Sequence, residues 1–500
     1  MTPLHPLAKD WLAHRADASP DALALEFGDL RWSYIELDLQ VNRIAGQMFS
    51  AGIKPGHHVA VLLPNGPDFV VALHALARVG AVMVPLNLRL TVDELNWQVH
   101  HANCTSILCN AVTEAQTQPL SAMGLRVLSF DPPQTPPTEA LAGYHTIPEN
   151  WHTRPLDLTR TQAIVFTSGT TGRPKGAVLT FANHFFSATA SAYRLGLHPN
   201  DRWLTCMPLY HVGGMSILLR SCLYGTTVVL HEHFDVDAVA HALAHDQITL
   251  VSLVPTMLYR IFARDAHPTF SASLRCILLG GAAAPPDLLA LARALPVATT
   301  YGLSEACSQV ATASPRDLLA HPGTVGKPLM FTTVEIRNGD ERLLPDEIGE
   351  IVVRGPSVMT KYYNDDTATA RTLKNGWLHT GDLGYKDPEG NLFVVQRRSD
   401  LIVTGGENVY PSEVERVLRT HPDVVEACVM GLPDPEWGQR VVAAVVTNTP
   451  ESELDAYVRE HLAGYKIPRQ YVFPPELPKT ASGKIKRPAI LRLFSTKRTD

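Results

Sequence analysis

The stretch Phe166-Thr-Ser-Gly-Thr-Thr-Gly-Arg-Pro-Lys-Gly176 follows directly on the apolar run Ala163-Ile-Val-Phe166 and limits what the surrounding chain can be. A buried strand that empties into hydroxyls, glycines and a lysine makes a loop suited to phosphate. After Thr167, the residues Ser168, Thr170 and Thr171 supply hydroxyl donors. Gly169, Gly172 and Gly176 permit positive φ and close backbone approach, and Lys175 supplies a cation for triphosphate oxygens. A Walker A loop is excluded, because no Gly-Lys-Ser/Thr closes the stretch and Pro174 stands where that motif opens its helix. Taken alone the eleven residues also suit a surface turn; blocks further along the chain decide between the two.

The flanking sequence alternates strand and helix patterns. Val59-Ala-Val-Leu-Leu63, Pro67 to Val79 and Ala81-Val-Met-Val-Pro85 read as a βαβ unit. Ser33 with Glu36 three residues on reads as a capping box opening a helix. Asn183 to Tyr193 reads as a helix, and Leu204-Thr-Cys-Met-Pro208, Thr226 to Leu230, Leu250 to Val254 and Cys276-Ile-Leu-Leu-Gly-Gly281 as strands, the last ending in paired glycines. Loops after strand ends are where α/β folds place ligands. From Thr333 to Gly355 short alternating strands suggest a small β-barrel-like subdomain, and Asp131 to Pro155, rich in Pro and Thr, reads as a surface connection. Near Asp400 the pattern turns into a compact α+β unit, with a helix from Pro411 to Thr420 and strands at 426–430 and 441–447. The expected fold class is therefore α/β: a large N-terminal region, residues 1–398, and a small α+β domain, 399–500, with the boundary near Asp400. Five hundred residues with 45% apolar side chains suffice for two such cores.

Four more blocks follow the phosphate loop: Tyr301-Gly-Leu-Ser-Glu305; Gly376-Trp-Leu-His-Thr-Gly-Asp382; Arg397-Arg-Ser-Asp-Leu-Ile402 with Gly405-Gly-Glu-Asn408; and Pro478-Lys-Thr-Ala-Ser-Gly-Lys484. In this order, over residues 10 to 490, they resemble the acyl-adenylate-forming superfamily of acyl-CoA synthetases, adenylation domains and firefly luciferase. The resemblance implies ATP, Mg²⁺ and CoA as co-substrates and cofactor. It places Tyr301 and Gly302 with Gly280 and Gly281 around adenine, Ser304 on the α-phosphate, Glu305 on Mg²⁺, and Asp382 and Arg397 on the ribose. It gives Lys484 the bridge between acyl carboxylate and α-phosphate, makes Asp400 a pivot, and brings Gly405 and Gly406 to the adenylate for thioester formation. Relatives mostly carry Thr where Ser304 stands; the hydroxyl is kept.

Within the superfamily, Tyr301 to Pro315, Gly323 to Leu329 and Arg397 to Pro411 look most like the 2-succinylbenzoate–CoA ligases of menaquinone biosynthesis. Such an acid has an aliphatic carboxylate to activate and an aromatic one to recognise, so the pocket must be semi-polar. His211, Arg220, Thr256 and Ser308 are the candidate contacts, with Arg220 the nearest fixed cation; a solvent-facing Arg220 on an apolar helix and a packed, ligand-free His211 fit the sequence as well. Short-chain, malonyl- and aryl-CoA synthetases and carrier-loading enzymes use the same blocks. A net charge of −6 without a basic tract argues against nucleic acid or an anionic membrane as the main partner. Seven scattered cysteines without a Cys-x-x-Cys pair read as reduced thiols, and the absence of a signal-like N-terminus or an eighteen-residue apolar run reads as cytoplasmic. Monomer and homo-oligomer are equally compatible with the sequence.

Overall fold

A computed structural model describes residues 10–129, 156–167, 173–265, 267–396, 401–478 and 485–495. The Asp131–Pro155 connection and the 398–400 boundary lie outside these residues. Contacts divide the chain into two compact units. One takes in the described parts of Met1–Leu88, Val99–Phe166 and Gly176–Gln396; the other takes in those of Arg89–Gln98, Thr167–Lys175 and Arg397–Asp500.

Local signals set the helices of the first unit. Ser33 caps Tyr34–Ser50 in a full capping box, its backbone N–H donating to Glu36 Oε2 at 2.8 Å. Pro67 occupies the first turn of Pro67–Val79, whose ten buried residues make it a core helix, and Gly80 ends it in the left-handed conformation. Helices such as this cover two sheets. The larger sheet has nine strands in the order Lys327–Pro328, Ser308–Ala313, Val297–Leu303, Cys276–Leu279, Leu250–Leu253, Arg202–Thr205, Thr227–Leu230, Leu23–Phe27 and Leu30–Ser33. Its central six strands are mutually parallel, and antiparallel strands finish both edges. A second sheet of six strands runs Arg126–Ser129, Cys104–Cys109, His58–Val61, Val82–Pro85, Thr161–Thr167 and Lys175–Thr180, and so carries the phosphate-loop segment between its last two strands. The strands expected after Thr333 belong to a third, antiparallel six-stranded sheet built around Gly349–Arg354 and Trp377–Lys386.

In the second unit five strands form a sheet whose central strand, Gly438–Val446, is buried on both faces. Val441, Ala443 and Val445 pack with Val414 and Leu418 of helix Pro411–Thr420, while Val442 and Ala444 pack with Ile490 and Phe494 of Arg487–Ser495. This is the period-two alternation of a strand covered on both sides. All seven cysteines are free thiols, six of them buried and Cys104 half-buried. Among the described residues no helix is long and apolar enough to cross a membrane.

Candidate active site

Four neighbouring strands of the large sheet, Val297–Leu303, Cys276–Leu279, Leu250–Leu253 and Arg202–Thr205, are parallel, so their carboxyl ends share one edge. The sequence candidates follow those ends. Gly280 and Gly281 come directly after Leu279, Thr256 opens the helix Pro255–Arg264, His211 precedes the helix Val212–Tyr224 with its ring 4.6 Å from that of Tyr210, and Tyr301 to Glu305 close Val297–Leu303. Residues spread over nearly a hundred positions are gathered by topology at the edge where open α/β sheets take ligands.

The Tyr301 to Ser308 segment is a tightly drawn reversal. A methyl group on Gly302 would stand 1.8 Å from the Ser308 carbonyl oxygen, which makes glycine obligatory there. The chain turns through a short 3₁₀ segment, Ser304–Ala306, and then through Cys307 and Ser308 with φ of 54° and 93°. Left-handed non-glycine backbone costs of order 1–3 kcal/mol per residue and persists only where its surroundings hold it. Here Ser187 Oγ, from helix Phe181–Leu195, donates to the Cys307 carbonyl at 2.7 Å, and the Cys307 thiol lies 3.1 Å from His184 Nδ1 of the same helix.

The two carboxylates assigned to nucleotide and metal each meet a buried phenol. Tyr301, 1% exposed, donates its OH to Asp382 Oδ2 at 2.7 Å, joining the residues expected on adenine and on ribose. Thr380 helps present Asp382, its Oγ1 accepting from the Asp382 N–H at 3.1 Å and donating to the Ile351 carbonyl at 2.6 Å. Glu305, 7% exposed, accepts from Tyr362 OH on Oε1 at 2.7 Å. The Tyr362 phenol orients the Glu305 carboxylate, and a carboxylate oxygen is the donor a hard divalent cation requires. These residues fit Mg²⁺.

Arg220 differs from one of the two sequence readings. It is not solvent-facing: it is 2% exposed in the middle of Val212–Tyr224, and this helix is buried on all sides along that turn. Its guanidinium has one hydrogen bond, Nη2 to Ser187 Oγ at 3.4 Å, lies 6.0 Å from the centre of the Trp203 ring, and leaves Nε without a partner among the described residues. Burial lowers its pKa, against the weaker opposing pull of Tyr224 and Cys307. Burial, reinforced by this nearby cation, also holds His184 down to about 3, and it pushes the Cys307 thiol up to about 12. Through Ser187 and Cys307, Arg220 is linked to the half-buried Ser308.

Thr167 ends one strand and the buried Lys175 begins the next, with Thr167 Oγ1 donating to the Lys175 carbonyl at 3.4 Å across the loop base. The loop itself, Ser168, Gly169, Thr170, Thr171 and Gly172, lies outside the described residues, as do Arg397, Asp400 and Lys484. In the second unit Gly405 and Gly406 form a two-residue hairpin between Ile402–Thr404 and Glu407–Val409, both with positive φ as that turn demands, and Gly405 N–H donates to the Trp437 carbonyl at 2.9 Å. Sequence reading missed Tyr362, His184 and Ser187. Tyr362 stands in Thr360-Lys-Tyr-Tyr-Asn364, which carries no chemical signature, and the other two sit on what reads as an ordinary helix.

Two family models match the chain: AMP-binding enzyme over residues 12–363 and AMP-binding enzyme C-terminal domain over 413–484. A 2-succinylbenzoate–CoA ligase of Bacillus licheniformis is 41% identical over 484 residues, 96% of this chain and 98% of that protein. Among solved structures, an o-succinylbenzoate CoA synthetase double mutant from Bacillus subtilis bound with its product analogue OSB-NCoA matches with a TM-score of 0.90 and 38% identity, over 97% of this chain and 98% of that one. The same enzyme in complex with ATP and magnesium ion matches with a TM-score of 0.73 and 38% identity, over 95% and 98%. With both family models satisfied in chain order and the carboxyl-edge constellation in place, the chain belongs to the AMP-binding enzyme family, alongside the 2-succinylbenzoate–CoA ligases that it matches over nearly its whole length.

Proposed function

We propose that this protein is an AMP-forming acid–CoA ligase that converts 2-succinylbenzoate, ATP and CoA into 2-succinylbenzoyl-CoA, AMP and pyrophosphate, a step of menaquinone biosynthesis. The reaction divides in two. The aliphatic carboxylate attacks the α-phosphorus of ATP and pyrophosphate leaves; the CoA sulfur, losing its proton, then attacks the acyl carbon and AMP leaves. Tyr301 and Gly280–Gly281 are suited to flank the adenine, and Asp382, oriented by the Tyr301 phenol, to accept from the ribose hydroxyls. Ser304 presents a hydroxyl for the α-phosphate, and Lys175 and Lys484 supply cations for phosphate and carboxylate oxygens. Glu305 would hold Mg²⁺, which when bound neutralises phosphate charge. Gly405 and Gly406 form a turn without side chains, suited to close approach to the adenylate. Asp400 is proposed as the pivot between the two half-reactions, with the domain division near 398.

The observation that carries the choice of acid is Arg220: a cation 2% exposed, with no carboxylate paired to it among the described residues, linked through Ser187 to the Ser308 turn. An aromatic carboxylate is the partner such a group lacks, and His211, Thr256 and Ser308 are the further polar contacts proposed for the acid. The test is a carboxylic-acid panel with mass spectrometry of the CoA products. 2-Succinylbenzoate should exceed 4-phenyl-4-oxobutyrate, which lacks only the ring carboxylate, by up to about 10⁴ in kcat/KM. Equal turnover of the two, or better turnover of benzoates or fatty acids, would overturn the substrate and leave the adenylating chemistry intact.

A further inference from the structure

Glu305 is fixed at both ends by one short stretch of chain. The Met359 N–H donates to its carbonyl at 2.8 Å, and the Tyr362 phenol donates to its Oε1 at 2.7 Å. Tyr362 is itself 1% exposed, and its backbone N–H donates to Thr369 Oγ1 at 3.0 Å, so the ring has a determined position. The same stretch is sewn to the strand that leaves the phosphate loop: Thr360 N–H donates to the Val178 carbonyl at 3.1 Å, Val178 N–H to the Lys361 carbonyl at 3.0 Å, and Tyr363 N–H to the Gly176 carbonyl at 2.8 Å. An isolated bridge pairs Ala177 with Tyr362 between them.

We infer that Tyr362 is a positioning residue for the metal-binding carboxylate, and that residues 359–363 set Glu305 in register with the strand that leaves the triphosphate loop. This rests on the reading of Glu305 given under the proposed function. The choice of a phenol has a physical reason. A lysine or arginine on Oε1 would orient the carboxylate but cancel the charge that attracts the cation; a neutral donor fixes the plane of the group and leaves the charge in place. Outer partners of this kind typically govern 10- to 100-fold of metal affinity or activity.

The test is a double-mutant cycle on the full-length protein, with Mn²⁺ binding in the presence of ATP read by electron paramagnetic resonance. Tyr362→Phe should weaken Mn²⁺ by about 10-fold or more while leaving AMP affinity in EDTA unchanged, and in a Glu305→Gln background it should have no further effect, because the group it orients no longer carries charge. Unchanged Mn²⁺ affinity, or an equal loss in the Glu305→Gln background, would overturn the inference. Should the phenylalanine variant not fold, 3-fluorotyrosine placed at position 362 keeps the ring and changes only donor strength; an unaltered Mn²⁺ affinity there overturns it too. The proposed function fails separately: a wild-type protein that adenylates no acid refutes that reading, whereas one that adenylates normally with a Mn²⁺ site indifferent to Tyr362 refutes only this inference.

Discussion

Replacing Arg220 with methionine should make the protein more stable and a worse enzyme. The guanidinium is 2% exposed, its single hydrogen bond is long at 3.4 Å, Nε has no partner among the described residues, and the Trp203 ring at 6.0 Å offers only a weak cation–π contact. A buried polar group left unsatisfied costs about 1–3 kcal/mol, and exchanging even a paired buried charge for well-packed apolar volume is often neutral or stabilising by roughly 1–4 kcal/mol. Methionine follows the same linear path and fills irregular space. Arg220→Met is therefore expected to gain about 1–3 kcal/mol, seen as a higher calorimetric melting temperature of the ligand-free protein. In the same variant the ring carboxylate of 2-succinylbenzoate loses a charged partner worth about 1.5–3 kcal/mol, roughly a 10- to 150-fold fall in kcat/KM. Pyrophosphate release with 4-phenyl-4-oxobutyrate should be unchanged or faster. A lower melting temperature would make Arg220 a structural residue, and an equal loss with both acids would remove it from carboxylate recognition.

Lys484→Ala should slow adenylation by about 10²–10³, the loss typical of one preorganised electrostatic donor, while conversion of supplied acyl-adenylate to thioester survives; equal loss of both half-reactions would refute a role for Lys484 confined to the first. His184 gives a pH prediction. Its folded pKa of about 3 lies below the unfolded 6.5, so between those values the unfolded chain binds a proton that the native fold refuses, and stability falls as pH drops, by up to ~1.4 kcal/mol per unit. His184→Gln should lose less melting temperature between pH 7 and 5 than wild type; parallel losses would show that His184 is not the group responsible. Gly302→Ala should abolish adenylation and lower the melting temperature, since the added methyl meets the Ser308 carbonyl at 1.8 Å; a fully active variant would mean that this reversal is looser than described.

The parts of the site legible in sequence are those where chemistry is concentrated locally. A Tyr, Ser and Glu within five residues stands out as a candidate cluster, and the capping box at Ser33 and the Pro67–Val79 helix are legible for the same local reason. Arg220 stayed open because an arginine at the centre of an apolar helix looks the same in sequence whether it faces water or interior; only packing of Ser187, Trp203 and Cys307 around it decides. Tyr362 left no trace at all. It acts on a residue 57 positions away, across strands whose pairing no local pattern encodes. The full extent of the third sheet, which reaches from Thr333 to Gln396, is likewise hidden in the sequence, since the glycines and polar residues of its central strand Trp377–Lys386 obscure the strand pattern.

The order of strands along the large sheet has an evolutionary consequence. Tyr301, Glu305 and the Gly280–Gly281 pair hang from two adjacent strands, while Thr256, His211 and the helix bearing Arg220 hang from the next two. On the proposed assignments, acid recognition falls mainly to loops other than those given to the nucleotide, Ser308 on the Tyr301–Ser308 turn being the exception. Drift in the acid-reading loops can change the acid without disturbing the backbone that aligns the phosphates, so new acid specificities can arise by loop exchange on an inherited activation engine. A chimera that takes residues 206–224 and 254–264 from a relative with a different acid should retain adenylation and inherit the donor's preference.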